Sequence, residues 1–311
     1  MATLPKPKPP RWDFTAQTAV ISAGARGIGS EIVRSLAEAG ANVVFGDIDR
    51  ASGRNLETLL QKAKGQVRFV EADFAMTNAW EKLRKRCEKE GWQATIGVAN
   101  AGIARECPVE SITPKEYARI EAINQRSSLW MAKTLTPALR ENSGGAFIFI
   151  GSVMSEFGFP NYSLYGMTKN AVVGLTRSLA IELAPAGIRV NCVQPGYTLT
   201  DLPAELRSIV PAELQDRCRA YFDEQLQAHF AKLQPLPTTV TSHDVAQTVC
   251  FLASAAGRNI TGSVLKVDGG LAVRFPSIAT EIFPPDFLHE VRNWVQKQAR
   301  TGRRAQKAIP Q

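Results

Sequence analysis

The sequence contains no run approaching the roughly 18 consecutive apolar residues that a membrane-spanning helix needs, so a helical membrane protein is excluded. Its first residues, broken by Pro5, Pro7, Pro9 and Pro10, lack the apolar stretch of a secretory signal. Cysteine is sparse: Cys87, Cys107, Cys192, Cys218 and Cys250 are odd in number and scattered, without the paired spacing of a zinc or redox centre. Free thiols in a reducing compartment, a cytoplasmic location and no metal are the expectations. No internal repeat and no linker-like stretch interrupts residues 14–270, so one domain is expected there. The 44% hydrophobic content of the 311 residues is ample for a buried core.

What is present in excess is positive charge, a net +8, which raises the question of a nucleic-acid partner. The excess sits at the ends. Lys6, Lys8 and Arg11 precede Asp13 with no acid among them, and Arg292, Lys297, Arg300, Arg303, Arg304 and Lys307 follow Glu290 likewise. These positive charges outnumber the whole excess, so the middle of the chain is close to neutral and neither nucleic acid nor a membrane surface is an expected partner. The residues divide into a basic, Pro-rich leader over 1–13, read as disordered, a body over 14–270 and a C-terminal extension over 271–311.

Within the body, short apolar runs alternate with helix-compatible segments. Residues 19–21, 42–45, 67–70, 96–99, 147–150, 189–193 and 264–267 are seven strand candidates. Between the first two, Ile32, Val33, Leu36 and Ala37 recur at helical spacing and Gly40 ends the run. Alternation of buried strands with helices predicts an α/β, doubly wound, Rossmann-type domain with a seven-stranded parallel sheet. Its ligands belong beyond the carboxyl ends of the strands.

The first strand leads into Gly24-Ala25-Arg26-Gly27-Ile28-Gly29, which opens a helix. Glycines in that setting let the backbone approach a pyrophosphate held at the helix N-terminus. Asp47 stands at the end of the second strand, where an acid accepts hydrogen bonds from adenosine ribose hydroxyls and repels a 2′-phosphate. Arg26 pulls the other way, because a cation in the turn attracts that phosphate. The expected cofactor is NAD, with NADP the alternative.

Tyr165 and Lys169 are four residues apart on a segment that continues with Val172, Val173, Leu175 and Leu179 at helical spacing, so they share one face. A phenol is a poor base at neutral pH unless an adjacent cation stabilises its phenolate, and Lys169 supplies one. Ser152 follows the fifth strand candidate at its carboxyl end. Tyr162 lies three residues before Tyr165, but its fourth residue onward is Gly166 and not a lysine. It is read as pocket wall or packing.

Together these features resemble the classical short-chain dehydrogenase/reductase family over roughly residues 19–270. A serine stands thirteen residues before the tyrosine, as Ser152 does before Tyr165. The resemblance implies a catalytic tetrad of Asn124, Ser152, Tyr165 and Lys169, with Asn124 positioning a water that links Lys169 to solvent. It also implies cofactor contacts by Ser22, Gly24, Arg26, Gly27, Ile28 and Gly29, by Asp47, and by Asp73 with Phe74 near the adenine. Asn100 and Gly102 of Asn100-Ala101-Gly102, Tyr165 and Lys169 themselves, and Pro195, Gly196, Thr198 and Thr200 complete that set. Val267-Asp268-Gly269-Gly270 matches the family's terminal turn. Two departures are Ser22-Ala23, where the family has threonine and glycine, and Ala99-Asn100, where it has a doubled asparagine.

The activity implied is hydride exchange between NAD(P) and a secondary alcohol or ketone. Met154, Phe157, Phe159, Tyr162 and Tyr197 are the expected substrate-pocket residues. A lid is expected over 197–235, with Leu214, Tyr221, Phe222, Leu226, Phe230 and Leu233 at near-helical intervals. These predict a medium to large, partly hydrophobic substrate. A polyol or sugar is the alternative, because Pro195-Gly196-Tyr197 also occurs in polyol-oxidising relatives, and a non-catalytic dinucleotide-binding protein is the rival from another class. The family resemblance implies a homo-oligomer, a tetramer paired through the Asn124 and Tyr165 helices. Beyond Gly270, the spacing of Phe287, Leu288, Val291, Trp294 and Val295 predicts one helix, begun near Pro285 and docked by the substrate entrance, followed by a disordered basic tail.

Overall fold

A strand buried on both faces needs no alternation of apolar and polar residues, and β1 (Thr18–Ser22) is buried at all five positions. It pairs in parallel with β2 (Asn42–Asp47) on one side and β4 (Ile96–Ala99) on the other. β3 (Val67–Glu71), β5 (Gly145–Ile150), β6 (Ile188–Pro195) and β9 (Val264–Val267) complete a seven-stranded sheet in the order β3-β2-β1-β4-β5-β6-β9. Every pairing in it is parallel. The order reverses between β1 and β4, so the crevice at their carboxyl ends is the place where a doubly wound sheet takes its ligand.

This computed structural model describes residues 12–199, 233–236 and 238–273, with positions 214, 217, 218, 220, 224, 225 and 293 besides. The chain divides into two compact units, Met1–Ala272 and Val273–Gln311, and the sheet belongs to the first. Thr200, most of the lid expected over 197–235, including Tyr221, Phe222, Leu226 and Phe230, and the expected C-terminal helix lie outside the described residues. Among the described residues, no helix is long and apolar enough to cross a membrane.

Helices cover both faces. α1 (Gly27–Glu38), α2 (Arg50–Leu59) and α7 (Ser242–Ala253) pack one apolar core, in which Ile32, Leu36, Leu56, Val245 and Val249 meet Ile21 and Phe45 of the sheet. α3 (Ala79–Glu90), α5 (Ser127–Glu141) and α6 (Ser163–Leu183) pack the other, where Trp80, Leu83, Met131, Leu135, Val172 and Leu179 meet Val20, Phe147 and Phe149. The chain enters β1 pinned to α7, since Trp12 Nε1 donates to Gln247 Oε1 at 2.8 Å and Phe14 is fully buried.

Three details depart from the pattern read in the sequence. β6 runs two residues further than 189–193 suggests, through Gln194 and Pro195, whose Cα partners are Lys266 and Val267. Proline lacks an N–H to donate, and a strand end tolerates that loss. A second, two-stranded sheet pairs β7 (Thr198–Leu199) with β8 (Val240–Thr241), both too short to show a period. α4 (Pro114–Glu121) and α5 are joined by a π-helical turn, Ala122–Arg126, which no residue pattern marks. Such turns shift the register of one face relative to the other, and they recur at functional sites.

Candidate functional site

The β1–α1 turn is tied to the β4 loop before it meets any ligand. Ser22, fully buried, accepts the Asn100 and Ala101 N–H groups on its hydroxyl oxygen, both at 2.9 Å. Ala23 holds φ at +50°, the left-handed region where the family's glycine sits without strain, and its carbonyl accepts from Asn100 Nδ2 at 2.9 Å. Gly29 is required at this crossing: a Cβ there would stand 2.6 Å from Asn100 Nδ2 and run into the Ala23 carbonyl. Gly24 packs instead against the Phe45 ring, so it shapes the turn from behind.

Gly27, Ile28 and Gly29 line a cavity of about 910 Å³ at the carboxyl edge of the sheet. The N-cap residue Arg26 is extended and provides no side-chain cap, and the first turn of α1 holds no acid. By contrast α2, α4 and α7 are capped by Asp49, Thr113 and Thr241. The N–H groups opening α1 therefore face the cavity without a side-chain acceptor, and with no Cβ at Gly27 or Gly29 in the way they form a cradle fitted to a pyrophosphate.

At the end of β2 the Asp47 carboxylate is built into the turns around it. One oxygen accepts the Ala25 N–H at 3.0 Å and the other the Asp49 N–H at 2.9 Å, and the side chain still borders the cavity. Asp49 accepts the Ser52 N–H at 3.0 Å and the Ser52 hydroxyl at 2.8 Å, and it lies 3.0 Å from Arg26 Nη1. The Ser52 donors, aided by Arg26, hold the Asp49 carboxyl below its ordinary range. Asp73 accepts the Ala75 N–H at 2.9 Å and faces Arg119 at 3.6 Å. Asp73, Phe74, Arg119 and Ile48 all border the same end of the cavity.

The other end holds the reactive groups. Tyr165 and Lys169 sit one turn apart on α6, with the Lys169 ammonium 5.7 Å from the Tyr165 ring centroid. Lys169 is buried and donates to the Ile150 carbonyl at 2.8 Å, which fixes it against the end of β5. Ser152, also buried, accepts the Met154 N–H at 3.2 Å, which leaves its hydroxyl hydrogen free to donate into the cavity that it lines with Tyr165 and Lys169.

Asn124 stands behind the cavity wall, on the π turn. Its Oδ1 accepts the Ile103 N–H at 2.8 Å, while Nδ2 donates to the Ile103 carbonyl at 2.9 Å and to Thr168 Oγ1 at 3.1 Å. Thr168 in turn donates to the Tyr165 carbonyl at 2.8 Å. Asn124 thus braces the β4 loop against the helix that carries Tyr165 and Lys169. Both of its amide hydrogens are committed to protein, and its backbone carbonyl accepts the Ser128 hydroxyl at 3.3 Å.

Of the expected pocket residues, Met154, Phe159, Tyr162 and Tyr197 line the cavity. Phe157 does not: it packs on Phe159 with ring centroids 5.4 Å apart and borders a smaller cavity of about 320 Å³. Phe159, Tyr162 and Tyr165 continue edge to face, with 6.5 Å between successive ring centroids. Asn100, Gly102, Pro195, Gly196 and Thr198 line the cavity too. Gly196 packs where a Cβ would stand 2.8 Å from Asp268 Cα, and Asp268 accepts the Gly270 and Ala272 N–H groups at 2.9 and 2.8 Å. The terminal turn is therefore the support beneath the Pro195-Gly196 turn.

Asp49, Arg119, Ile103, Ala104 and Leu271 are bordering or supporting residues that no motif marks. Among the described residues no cluster of three His, Cys, Asp or Glu side chains stands in metal-binding geometry. Burial pushes the thiols of Cys87 and Cys250 up to about 12 and that of Cys192 up to about 11, so these cysteines are not nucleophiles at neutral pH.

Comparison with known proteins finds relatives over most of the chain. Residues 22–272 match a family model described as Enoyl-(Acyl carrier protein) reductase. The chain is 32% identical to a cis-4-hydroxycyclohexanecarboxylate dehydrogenase of Sinomonas cyclohexanicum, over 83% of this chain and 97% of that protein. It is 29% identical to the 3-oxoacyl-(acyl-carrier-protein) reductase MabA of Mycobacterium tuberculosis, over 86% of this chain and 96% of the other. Among solved structures, a blue fluorescent protein from a metagenomic library in complex with NADPH superposes with a TM-score of 0.72 at 30% identity, covering 84% of this chain and 99% of that one. A Serratia marcescens short-chain dehydrogenase/reductase variant gives a TM-score of 0.72 at 29% identity, with 83% and 98% covered.

Proposed function

The chain belongs to the classical short-chain dehydrogenase/reductase family of NAD(P)-binding oxidoreductases, and from that membership we propose that it interconverts a secondary alcohol and a ketone in the cytoplasm, using NAD(H) in preference to NADP(H). The observation that carries the reading is the convergence of Tyr165, Lys169 and Ser152 on one cavity wall, beside a cradle fitted to a dinucleotide pyrophosphate.

When bound, the nicotinamide supplies hydride for reduction and takes it up in oxidation. Tyr165 moves the proton, to the carbonyl oxygen of a ketone or from the hydroxyl of an alcohol. Lys169, held by the Ile150 carbonyl, offsets the negative charge that develops on the phenolic oxygen. Ser152 donates its hydroxyl hydrogen to the same substrate oxygen, as an oxyanion-hole donor does. Asn124, through Ile103 and Thr168, keeps the loop and helix in register. Asp47, Asp73 and Phe74 line the adenosine end, and Gly196 and Thr198 the nicotinamide end, with Thr200 two residues further along the chain.

Charge along the lining supports a neutral substrate. Arg26, Asp47, Asp73 and Arg119 cluster at the adenosine end, and apart from Lys169 the described residues at the other end are uncharged: Ile103, Met154, Phe159, Tyr162 and Tyr197 among them. A screen of alcohols and ketones with NAD(H) and NADP(H), read at the nicotinamide absorbance, should give the highest kcat/KM with medium to large apolar compounds. Better turnover of polyols or sugars would sink the hydrophobic reading and leave the reaction class intact. Dinucleotide binding with no turnover of either class would sink the catalytic one.

A homo-oligomer is supported by α5 and α6, which leave Leu129, Met167 and Ile181 exposed, the last by 80%. Apolar side chains of that size on adjoining helices support pairing across a two-fold axis. Light scattering should return a tetramer of the 33.9 kDa chain, and a stable monomer at micromolar concentration would refute it.

A further inference from the structure

Among the described residues three cations line the main cavity, and their partners differ. Lys169 is fixed to the Ile150 carbonyl, and Arg119 faces Asp73. Arg26 stands beside Asp47 at the end of β2, where the 2′ position of an adenosine ribose belongs, and Asp49 holds it at 3.0 Å with 40% of its side chain exposed. Asp49 itself does not border the cavity. Arg50, the next nearby cation, faces Glu71 at 3.9 Å.

The two acids in this corner have different duties. Asp47 accepts the Ala25 and Asp49 N–H groups, so removing it loosens the turn that shapes the dinucleotide cradle as well as removing a charge. Asp49 caps α2 through Ser52 and pairs with Arg26, and only its charge bears on the cavity. A partly exposed ion pair is weak, whereas a guanidinium on a phosphate makes strong, bidentate hydrogen bonds. Masking alone would therefore yield to a 2′-phosphate. The second part of the effect is repulsion, because a phosphate that recruits Arg26 must approach the Asp49 carboxylate left behind.

We propose that Asp49 is a specificity-determining positioning residue, which closes this site to 2′-phosphorylated dinucleotides by holding Arg26 and repelling the phosphate. The inference rests on the NAD(H) preference proposed above. It also reassigns the selectivity switch: substitution of Asp49 opens the site to NADP(H) while the turn stays intact, and substitution of Asp47 does so only at the expense of the turn.

Asp49→Asn tests this, because asparagine still caps α2 by accepting the Ser52 N–H but carries no charge. The dissociation constant for NADPH relative to that for NADH, read by fluorescence titration in the absence of substrate, should fall roughly tenfold or more, and the kcat/KM ratio should follow it through the NADPH KM and not through kcat, as expected for one new charge-assisted contact. The gain should fall as salt is raised and should vanish when Arg26→Met is added, neither of which a helix cap alone would produce. Asp47→Asn alone should raise the NADH KM and give a smaller shift in the ratio. An unchanged ratio in a folded Asp49→Asn protein, or a gain that survives Arg26→Met, overturns the inference. A wild-type protein that already prefers NADPH removes the premise, and the cofactor reading falls with it.

Discussion

Tyr165→Phe is expected to lower kcat by roughly a thousandfold or more, the upper part of the range that general acid–base catalysis supplies, while the dinucleotide still binds. The substitution removes one oxygen and keeps the ring, so the contacts with Tyr162 and with the Lys169 ammonium, both made to the ring, are retained. The loss is confined to proton transfer, for which Tyr165 is the group placed beside Lys169 among the described residues: Ser152 can donate to the substrate oxygen but is a poor base, and Tyr162 lacks a lysine one turn on. Steady-state kinetics alongside titration of NADH fluorescence separate the two effects. Turnover within tenfold of wild type would sink the assigned mechanism.

Lys169→Ala should injure both steps, lowering kcat by about a hundredfold or more and raising the dinucleotide KM as well. The physical reason is its position. Lys169 is buried between the end of β5 and α6, its ammonium bonded to the Ile150 carbonyl and set 5.7 Å from the Tyr165 ring centroid. Truncation removes the charge that supports the phenolate and leaves the Ile150 carbonyl without that donor, at a stability cost of about 1–3 kcal/mol for an unmet buried acceptor. A thermal melt should accompany the kinetics so that misfolding is not mistaken for lost chemistry. Lys169→Arg should rescue little, since a planar fork does not replace a compact ammonium against a single carbonyl. An alanine variant with normal cofactor KM and a loss confined to kcat would remove Lys169 from the binding site.

Much of this arrangement is readable in the linear chain. Parallel strands buried on both faces read as continuous apolar runs, as the candidates at 19–21 and 147–150 do in β1 and β5, and the edge strands β3 and β9, only partly buried, still hold enough apolar residues to be read at 67–70 and 264–267. Helical spacing places Tyr165 and Lys169 on one face of α6 before any coordinate is known, and the serine at the end of β5 completes a pattern whose spacing is local. The glycine-rich turn is likewise a local device: backbone conformation and close approach restrict which residues it admits, and Gly27, at φ +54°, and Gly29 meet that restriction.

Contacts between segments far apart in sequence leave no such trace. Nothing in residues 114–141 announces the π turn, because Asn124 takes its place from Ile103 and Thr168, 21 and 44 residues away. Phe157 and Phe159 are indistinguishable by composition, yet one lines the main cavity and the other packs behind it. Asp47 and Arg26 are both visible as cofactor determinants of opposite sign, and no pattern decides between them. Parallel pairing brings a third charge to this corner: Ser22 lies opposite Gly46, so the turns after β1 and β2 emerge side by side and Asp49 reaches Arg26. The sequence by itself determined the fold class and set tyrosine, lysine and serine at the spacing that the proposed chemistry uses, since both rest on periodicity and short spacing. The tertiary structure decided which charges neutralise one another and which aromatic rings face the cavity, because those depend on distances that the sheet, and not the chain, sets.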